Sequence, residues 1–376
     1  MRILFVTFSS IDSNYSSTFR NKSILNGFVK LGHLVDVISS FDNEYSKADD
    51  SRKYNINGKL IVISQNAFNK NKTNNNSLLK KIARILYHKF SPFGLSLFYL
   101  RRINLSLLPT YSYDIVVSSS DPITSHLAVR QLIRQGLKYK KWIQYWGDPL
   151  SKDITNKLIY PEKIKDKLEY WILKPADKII YVSPVTVDSQ KKLFSKLSEK
   201  MFFLPTPYSS EKKYSNYQND TFKVGYHGFY MSSVRNIIPL YNAVNNSKLK
   251  IELDIIGDSN LSLTKSNKVN IYPNKHNIEE YIEKTDLLVV LLNSSGGQIP
   301  GKIYHLSGTN KPILVILDGE CKDLIKKYFI QFDRFLFCNN DSESILNAIQ
   351  KVFFEKPSFE PCHYFSPEVL SVKFIS

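Results

Sequence analysis

The sequence predicts an α/β protein of two consecutive βα domains, and three observations carry that prediction. Its 376 residues exceed what one hydrophobic core usually covers. Short apolar runs alternate with helical patterns, as in parallel sheets whose strands are buried on both faces. The alternation halts in the stretch MFFLPTPYSSEKKYSNYQND and restarts after it, which places a linker there and divides the chain into 1–207 and 208–356. A hydrophobic content of 43% with 23% charged residues is globular and excludes a disordered chain.

In the first half a strand runs from Arg2 to Phe8, and the polar loop SSIDSNYSS leads to a helix from about Phe19 to Leu31, closed by Gly32-His33. Leu34 to Ile38 and Lys59 to Ser64 are the next strands, and the low-complexity run Asn69 to Asn76 reads as a loop. After the strand Asp114 to Ser118, Asp121-Pro122 and Thr124-Ser125 open a helix that ends at Gly136. The strand Lys141 to Tyr145 carries Trp146-Gly147-Asp148-Pro149 at its carboxyl end. A helix from about Glu162 to Leu173, a strand from Lys178 to Val182 and a helix through Ser195 complete this half.

The second half repeats the pattern. Lys223 to Tyr226 is a strand, HGFYMSSVRN its loop and Asn236 to Asn245 its helix. Ile251 to Ile256 ends in Gly257-Asp258, Val269 to Tyr272 in Pro273-Asn274, and the helix Ile278 to Lys284 precedes the strand Leu287 to Leu292. The stretch that organises the rest is Gly296 to Leu317, GGQIPGKIYHLSGTNKPILVIL: a Gly-Gly loop, a Pro300-Gly301 turn, a helix from Lys302 to Gly308 and an unbroken apolar strand, Ile313 to Leu317. Ligands of such sheets sit beyond the carboxyl ends of the strands. Glycines there let backbone N–H groups approach an anion, the helix start adds its positive dipole end, and Lys302 adds a full charge. That outlines a phosphate or diphosphate site, the plainer alternative being a glycine turn with a solvated lysine.

The net charge of +17 is concentrated in one place. From Ser51 to Tyr113 there is no Asp or Glu, while Arg52, Lys53, Lys59, Lys70, Lys72, Lys80, Lys81, Arg84, Lys89, Arg101 and Arg102 are all basic. Within this segment Leu78, Leu79, Ile82, Ile85, Leu86 and Phe90 fall on one helical stripe. An apolar stripe flanked by cations suits an anionic membrane surface, and a core-facing helix with a lysine-rich outer face is the alternative. No helix-turn-helix, RNP, zinc or KH signature accompanies the charge, which argues against nucleic acid. No apolar run approaches the roughly 20 residues that span a bilayer, and MRILFVTF is too short an apolar run for a signal peptide. Cys321, Cys338 and Cys362 have no CxxC spacing and fit reduced thiols in a cytoplasmic protein.

Taken together, VVSSSDPITSHLAV followed by KKWIQYWGDPL, then VGYHGFYMSSVRNIIPLYNAV, LDIIGD and TDLLVVLLNSSGGQIPGKIYHLSGTNKPILVI, resemble the GT-B glycosyltransferases of family 4 type, which serve bacterial surface polysaccharide synthesis. The likeness spans about Met1 to Lys356, and the tail FSPEVLSVKF is similar to the closing helix of that fold, so residues 357–376 are read as crossing back to the first domain. The resemblance implies two Rossmann-like domains facing a central cleft, the first binding the acceptor and the second a nucleotide sugar. It also implies transfer with retention of configuration.

The site residues follow from the same resemblance. Arg235, beside Asn236, and Lys302 are the expected partners of the diphosphate, and with Asp148 they form the expected catalytic set. Gly228 and Gly257 allow close backbone approach, Tyr272 and Asn274 lie where the base is held, and Gly297, Pro300, Gly301 and His305 complete the donor side. Many family members carry two glutamates at the positions filled here by Gly297 and His305, so the donor side departs from the pattern. Ser9, Ser10, Asp121, His126 and Asp148 make the acceptor side. For these, plain structural readings stand beside the functional ones: Asp148 as a turn starter, Asp121 as a helix cap, His126 as a satisfied helix histidine. The sequence has no Asp-x-Asp, the arrangement that holds a divalent ion against a diphosphate, so neither metal nor cofactor is expected. The expected partners are a nucleotide-sugar donor, a lipid-linked or growing glycan, an anionic membrane surface and other glycan-assembly enzymes. A nucleotide-sugar epimerase and a catalytically silent binding subunit are the competing readings.

Overall fold

The computed structural model describes residues 1–10, 16–41, 56–64, 90–152, 158–215, 221–273 and 278–376. The basic stripe before Phe90, the run 69–76 and Asn274 lie outside the described residues, as does the side chain of Ser10. Two compact units emerge, one of Met1–Pro205 with Pro367–Ser376 and one of Thr206–Ser366.

The first unit holds strands β1 (Arg2–Ser10), β2 (Leu34–Phe41), β3 (Leu60–Ser64), β4 (Ser112–Ser119), β5 (Lys138–Trp146), β6 (Lys178–Tyr181) and β7 (Met201–Phe203). Its helices are α1 (Ser16–Lys30), α2 (Thr124–Arg134), α3 (Glu162–Leu173) and α4 (Pro184–Leu193). The second unit holds β8 (Phe222–His227), β9 (Ile251–Ile256), β10 (Val269–Tyr272), β11 (Leu287–Leu291), β12 (Ile313–Leu317) and β13 (Leu336–Asn339). Between them run α5 (Ile238–Asn245), α6 (Glu279–Lys284), α7 (Lys302–Leu306), α8 (Lys322–Phe329) and α9 (Ser342–Glu355), and α10 (Pro367–Ile375) closes the chain.

Both sheets are parallel throughout the described residues, in the orders β3-β2-β1-β4-β5-β6-β7 and β10-β9-β8-β11-β12-β13. This is a doubly wound arrangement, forced by strands such as LLVVL and ILVIL, which are buried at every position and need helices on both faces. In each sheet the strand order reverses once, between β1 and β4 and between β8 and β11, and the crevice beyond such a reversal is where this architecture binds ligands. Register fixes what lies there. Thr7 pairs with Ser119 in the first sheet, and Val289 with Tyr226 in the second.

Helix α10 packs on α1: Ser371 Oγ donates to the Ile24 carbonyl at 3.2 Å, and Phe374 meets the rings of Phe28 and Tyr145 edge-on at 5.5 and 5.0 Å. Its carboxyl-terminal carbonyls are satisfied by lysines, Lys178 Nζ to Phe374 at 3.0 Å and Lys141 Nζ to Ser376 at 2.9 Å. Residues 357–366 stay with the second unit, because Cys362 N bonds the Ser307 carbonyl at 2.8 Å and Tyr208 N bonds that of Phe365 at 3.0 Å. All three cysteines are free thiols. No helix of the described residues is long and apolar enough to cross a membrane.

Candidate active site

In the second unit the ends of β8, β9 and β11 converge. Gly228 N bonds the Ile256 carbonyl at 2.8 Å, and a Cβ on Gly257 would collide with the Gly228 carbonyl, so only glycine lets the two strand ends pass. A Cβ on Gly228 would sit 3.5 Å from Lys302 Cε and 3.6 Å from Tyr226 Oη, which places the lysine stem along the bare glycine. Arg235 is held by two loops at once. Its Nε donates to Asn293 Oδ1 at 2.9 Å and its Nη1 to the Phe229 carbonyl at 3.3 Å, and the guanidinium also meets the Tyr226 hydroxyl.

Lys302 and Arg235 act on one another. Burial pushes the Lys302 ammonium down to about 8, and the charge of Arg235 pushes it the same way. Among the described residues neither cation is paired with a carboxylate. Two imidazoles adjoin them and stay neutral. His227 is lowered to about 3 and His305 to about 4, in both cases by burial first and by the Lys302 charge second. His227 is 3% exposed, and neither ring nitrogen finds a hydrogen-bond partner among the described residues. Two like charges and two neutral rings, with no anion among them, form an environment that an incoming anion would relieve.

The glycine loop contributes less than its sequence promised. Helix α7 covers only Lys302–Leu306, because Ser307 Oγ and Thr309 Oγ1 turn back onto the carbonyls of Tyr304 and Leu306 at 2.6 and 2.8 Å. A helix that short has little dipole to offer. The Gly296 N–H is directed at Glu320 Oε1, 3.4 Å away, and so toward a carboxylate. The site therefore rests on side-chain cations more than on backbone.

In the first unit the strand ends form a network of hydroxyls around a buried arginine. Ser9 Oγ lies 2.9 Å from Ser17 Oγ and 3.1 Å from Thr18 Oγ1, Asn21 Nδ2 donates to Thr7 Oγ1 at 2.9 Å, and Ser119 Oγ donates to Asn21 Oδ1 at 2.6 Å. Arg20, 5% exposed, bonds the Ser120 carbonyl and lies 4.9 Å above the Tyr145 ring. A Cβ on Gly147 would strike its guanidinium and lie 3.4 Å from Asp121 Oδ2, so both groups reach the turn that carries Asp148. That turn is fixed at both ends. Gly147 N donates to Ser120 Oγ at 3.1 Å, while Leu150 N and Ser151 N donate to the two oxygens of Glu169 at 3.1 and 2.8 Å. Glu169 is fully buried, and burial pushes its carboxyl up to about 7 against the pull of those bonds.

No protein-family model matches the chain, and no curated protein matches it in sequence. Solved structures do. Sucrose-phosphate synthase from Thermosynechococcus elongatus is similar with a TM-score of 0.59 and 12% identity, covering 100% of this chain and 94% of that one. WaaG, a glycosyltransferase involved in lipopolysaccharide biosynthesis, matches at 0.51 and 11%, over 99% and 93%. S. aureus TarM in complex with UDP matches at 0.53 and 10%, over 99% and 95%. The fold is GT-B.

Within this GT-B chain the structure sorts the residues expected from sequence. It brings Gly228, Gly257, Arg235 and Lys302 together, with His305 beside them. Asn236 stands apart in role, since its Oδ1 takes the Ile238 N–H at 3.2 Å ahead of α5. Tyr272 ends β10, the edge strand, with its ring 5.4 Å from that of Tyr281. Pro300 is buried in the turn before α7, and Gly297 adds no side chain. On the other side Ser9 is occupied by α1, and Ser10 lies in β1. Asp121 is not the cap of α2, whose N-cap is Ile123 without a side-chain bond. His126 is corrected to a core residue: 1% exposed, stacked 4.3 Å from Trp146 and bonded through Nδ1 to Ser118 Oγ at 2.8 Å, it cannot meet an acceptor. Sequence reasoning gave no role to His227 and passed over Arg20 and Glu169. His227 had a signal, its place at a strand end before a glycine. Arg20 and Glu169 sit within ordinary helical patterns and had none. Among the described residues no group of three His, Cys, Asp or Glu is placed to hold a metal ion.

Proposed function

We propose that the chain is a glycosyltransferase that moves a sugar from a nucleoside diphosphate to a hydroxyl of a lipid-linked or growing glycan of capsule or lipopolysaccharide type. The reaction proceeds with retention of configuration, and protein cations take the place of a divalent metal. One observation carries the reading: Arg235 and Lys302 adjoin at the strand-order reversal of the second unit, and among the described residues neither is paired with a carboxylate. As the bond to the sugar breaks, the nucleoside diphosphate gains negative charge, and cations already in position stabilise it without reorganising. The guanidinium of Arg235 adds a directed donor to a phosphate oxygen, and Lys302 adds a point charge. In the first unit Asp148 takes the proton of the acceptor hydroxyl, on a turn that Ser120 and Glu169 hold in place. The enzyme works at the inner face of the plasma membrane beside other glycan-assembly enzymes, where a lipid-linked acceptor is found.

Gly297 favours a second reading, a silent subunit that binds a nucleotide sugar without turnover, because that position offers no side chain to the donor sugar. One experiment separates the readings. The protein is incubated with UDP-, GDP- and dTDP-sugars, with and without a membrane lipid extract, and nucleotide release and sugar product are followed. Transfer or donor hydrolysis is expected. Binding without turnover would select the silent subunit, a sugar product formed without acceptor would select an epimerase, and failure to bind any of the nucleotides would end the donor-site reading.

A further inference from the structure

The exposed face of α3 has chemistry that the active site does not use. Ile164, Lys167 and Trp171 stand at positions i, i+3 and i+7, hence on one side of the helix, with Lys163 and Lys174 flanking them, all exposed. Ile164 is 51% exposed and Trp171 43%, large values for residues of this size. Ile159, 52% exposed, precedes the helix, and Phe90, 51% exposed, is joined to its start because Tyr160 Oη donates to the Phe90 carbonyl at 2.6 Å. Arg130 lies 3.8 Å above the Trp171 ring and adds a cation at the other end. The one exposed acid of the helix, Glu162, is paired with Lys152 at 3.0 Å.

We propose that this face of α3 docks onto an anionic lipid surface, with Trp171, Ile164 and Ile159 entering the headgroup layer and Lys163, Lys167, Lys174 and Arg130 against the lipid charges. The charge complement selects the occupant. Lysine is depleted in protein–protein contacts, whereas a ring of lysines around apolar residues suits an acidic bilayer. Nucleic acid would engage the lysines, but Arg130 already covers one face of Trp171 and the isoleucines have no ring face on which a base can stack. Indole and guanidinium both suit the interfacial zone, and each cation near an anionic surface strengthens binding by about fivefold. The proposal extends the membrane placement given above and stands whether or not sugar transfer is the reaction.

The three tryptophans provide the test. Trp142 and Trp146 are buried, at 1% and 0% exposure, so a change in emission on binding reports Trp171. Vesicles of phosphatidylglycerol and phosphatidylcholine, some with brominated chains, are compared with pure phosphatidylcholine vesicles and with duplex and single-stranded oligonucleotides. Expected are binding to the acidic vesicles only, quenching by brominated chains that Trp171→Phe abolishes, and a roughly tenfold to hundredfold weaker partition for Lys163→Gln/Lys167→Gln/Lys174→Gln. These are surface lysines, so the triple variant should keep the wild-type fold, checked by its melting temperature. Absence of binding, binding to oligonucleotides alone, or vesicle binding without quenching and unaffected by the triple variant would overturn the proposal. The last outcome would assign lipid contact to the basic segment before Phe90.

Discussion

Beyond the end of β8 the charge of Arg235 acts on Lys302, and neither is paired with a carboxylate among the described residues. At the ends of β1 and β4 another arginine, Arg20, is enclosed by serine hydroxyls, a carbonyl and a tyrosine ring, 5% exposed. The two places are topologically equivalent, each beside a strand-order reversal. Yet one is a pair of like charges, and the other is enclosed by hydroxyls and a ring, with Arg20 Nε left without a hydrogen-bond partner among the described residues. A cluster of like charge lowers stability until an anion arrives, whereas an enclosing network fixes the shape of what is attached to it, here the turn bearing Asp148. Substitutions in the second unit should therefore change binding, and those in the first should change stability and geometry.

The largest effect tests that division directly. Lys302→Ala should weaken binding of nucleoside diphosphates by roughly a hundredfold or more, the scale of a charge-assisted contact, while the melting temperature stays level or rises as repulsion on Arg235 is lifted. Calorimetric titration with UDP and GDP alongside a thermal melt measures both, and retained affinity with lost stability would erase the contrast. The next effect concerns pH. With the Lys302 ammonium near 8, nucleotide affinity should fall as pH rises from 7.5 to about 9, since the proton that carries the charge is lost there. Bound phosphate favours the charged form, so the midpoint in the complex lies higher, and Lys302→Arg should flatten the profile. An affinity independent of pH across this window would remove Lys302 from the site.

The smallest effect belongs to the first unit. Glu169 protonates near 7 in the folded chain and near 4.3 when unfolded, so the native state holds the extra proton. Its contribution to stability thus falls as pH rises from about 4.5 to about 7 and is constant above. Melting curves of wild type and Glu169→Gln should converge or cross within that window, the difference between them changing by roughly 5–8 °C. Parallel curves would mean that the carboxyl titrates elsewhere.

Much of the fold was legible because buried parallel strands are written as apolar runs: Ile251–Ile256 and Ile313–Leu317 coincide with β9 and β12. Strands that leave the core are written differently. β5 begins at Lys138 instead of Lys141 because its first residues alternate between exposed and half-buried, and β13, LFCN, is an edge strand without a fully buried position. The site was legible where chemistry and position coincide, at a lysine after a glycine loop and an arginine after a strand. It was illegible where function depends on contacts far apart in sequence. Nothing around Glu169 in EKIKDKLEYWIL tells that its carboxylate binds two amides 18 and 19 residues earlier, nor does His126 reveal that Trp146 covers it.

Helix α10 joins the first unit although the whole second unit precedes it in the chain. On the ribosome, then, the amino-terminal part emerges first but must wait for the final ten residues before Phe28 and Tyr145 acquire the aromatic neighbour Phe374. The usual order of vectorial folding is reversed for this one docking step. A released chain truncated after Ser366 would hold the whole second unit and an uncovered α1.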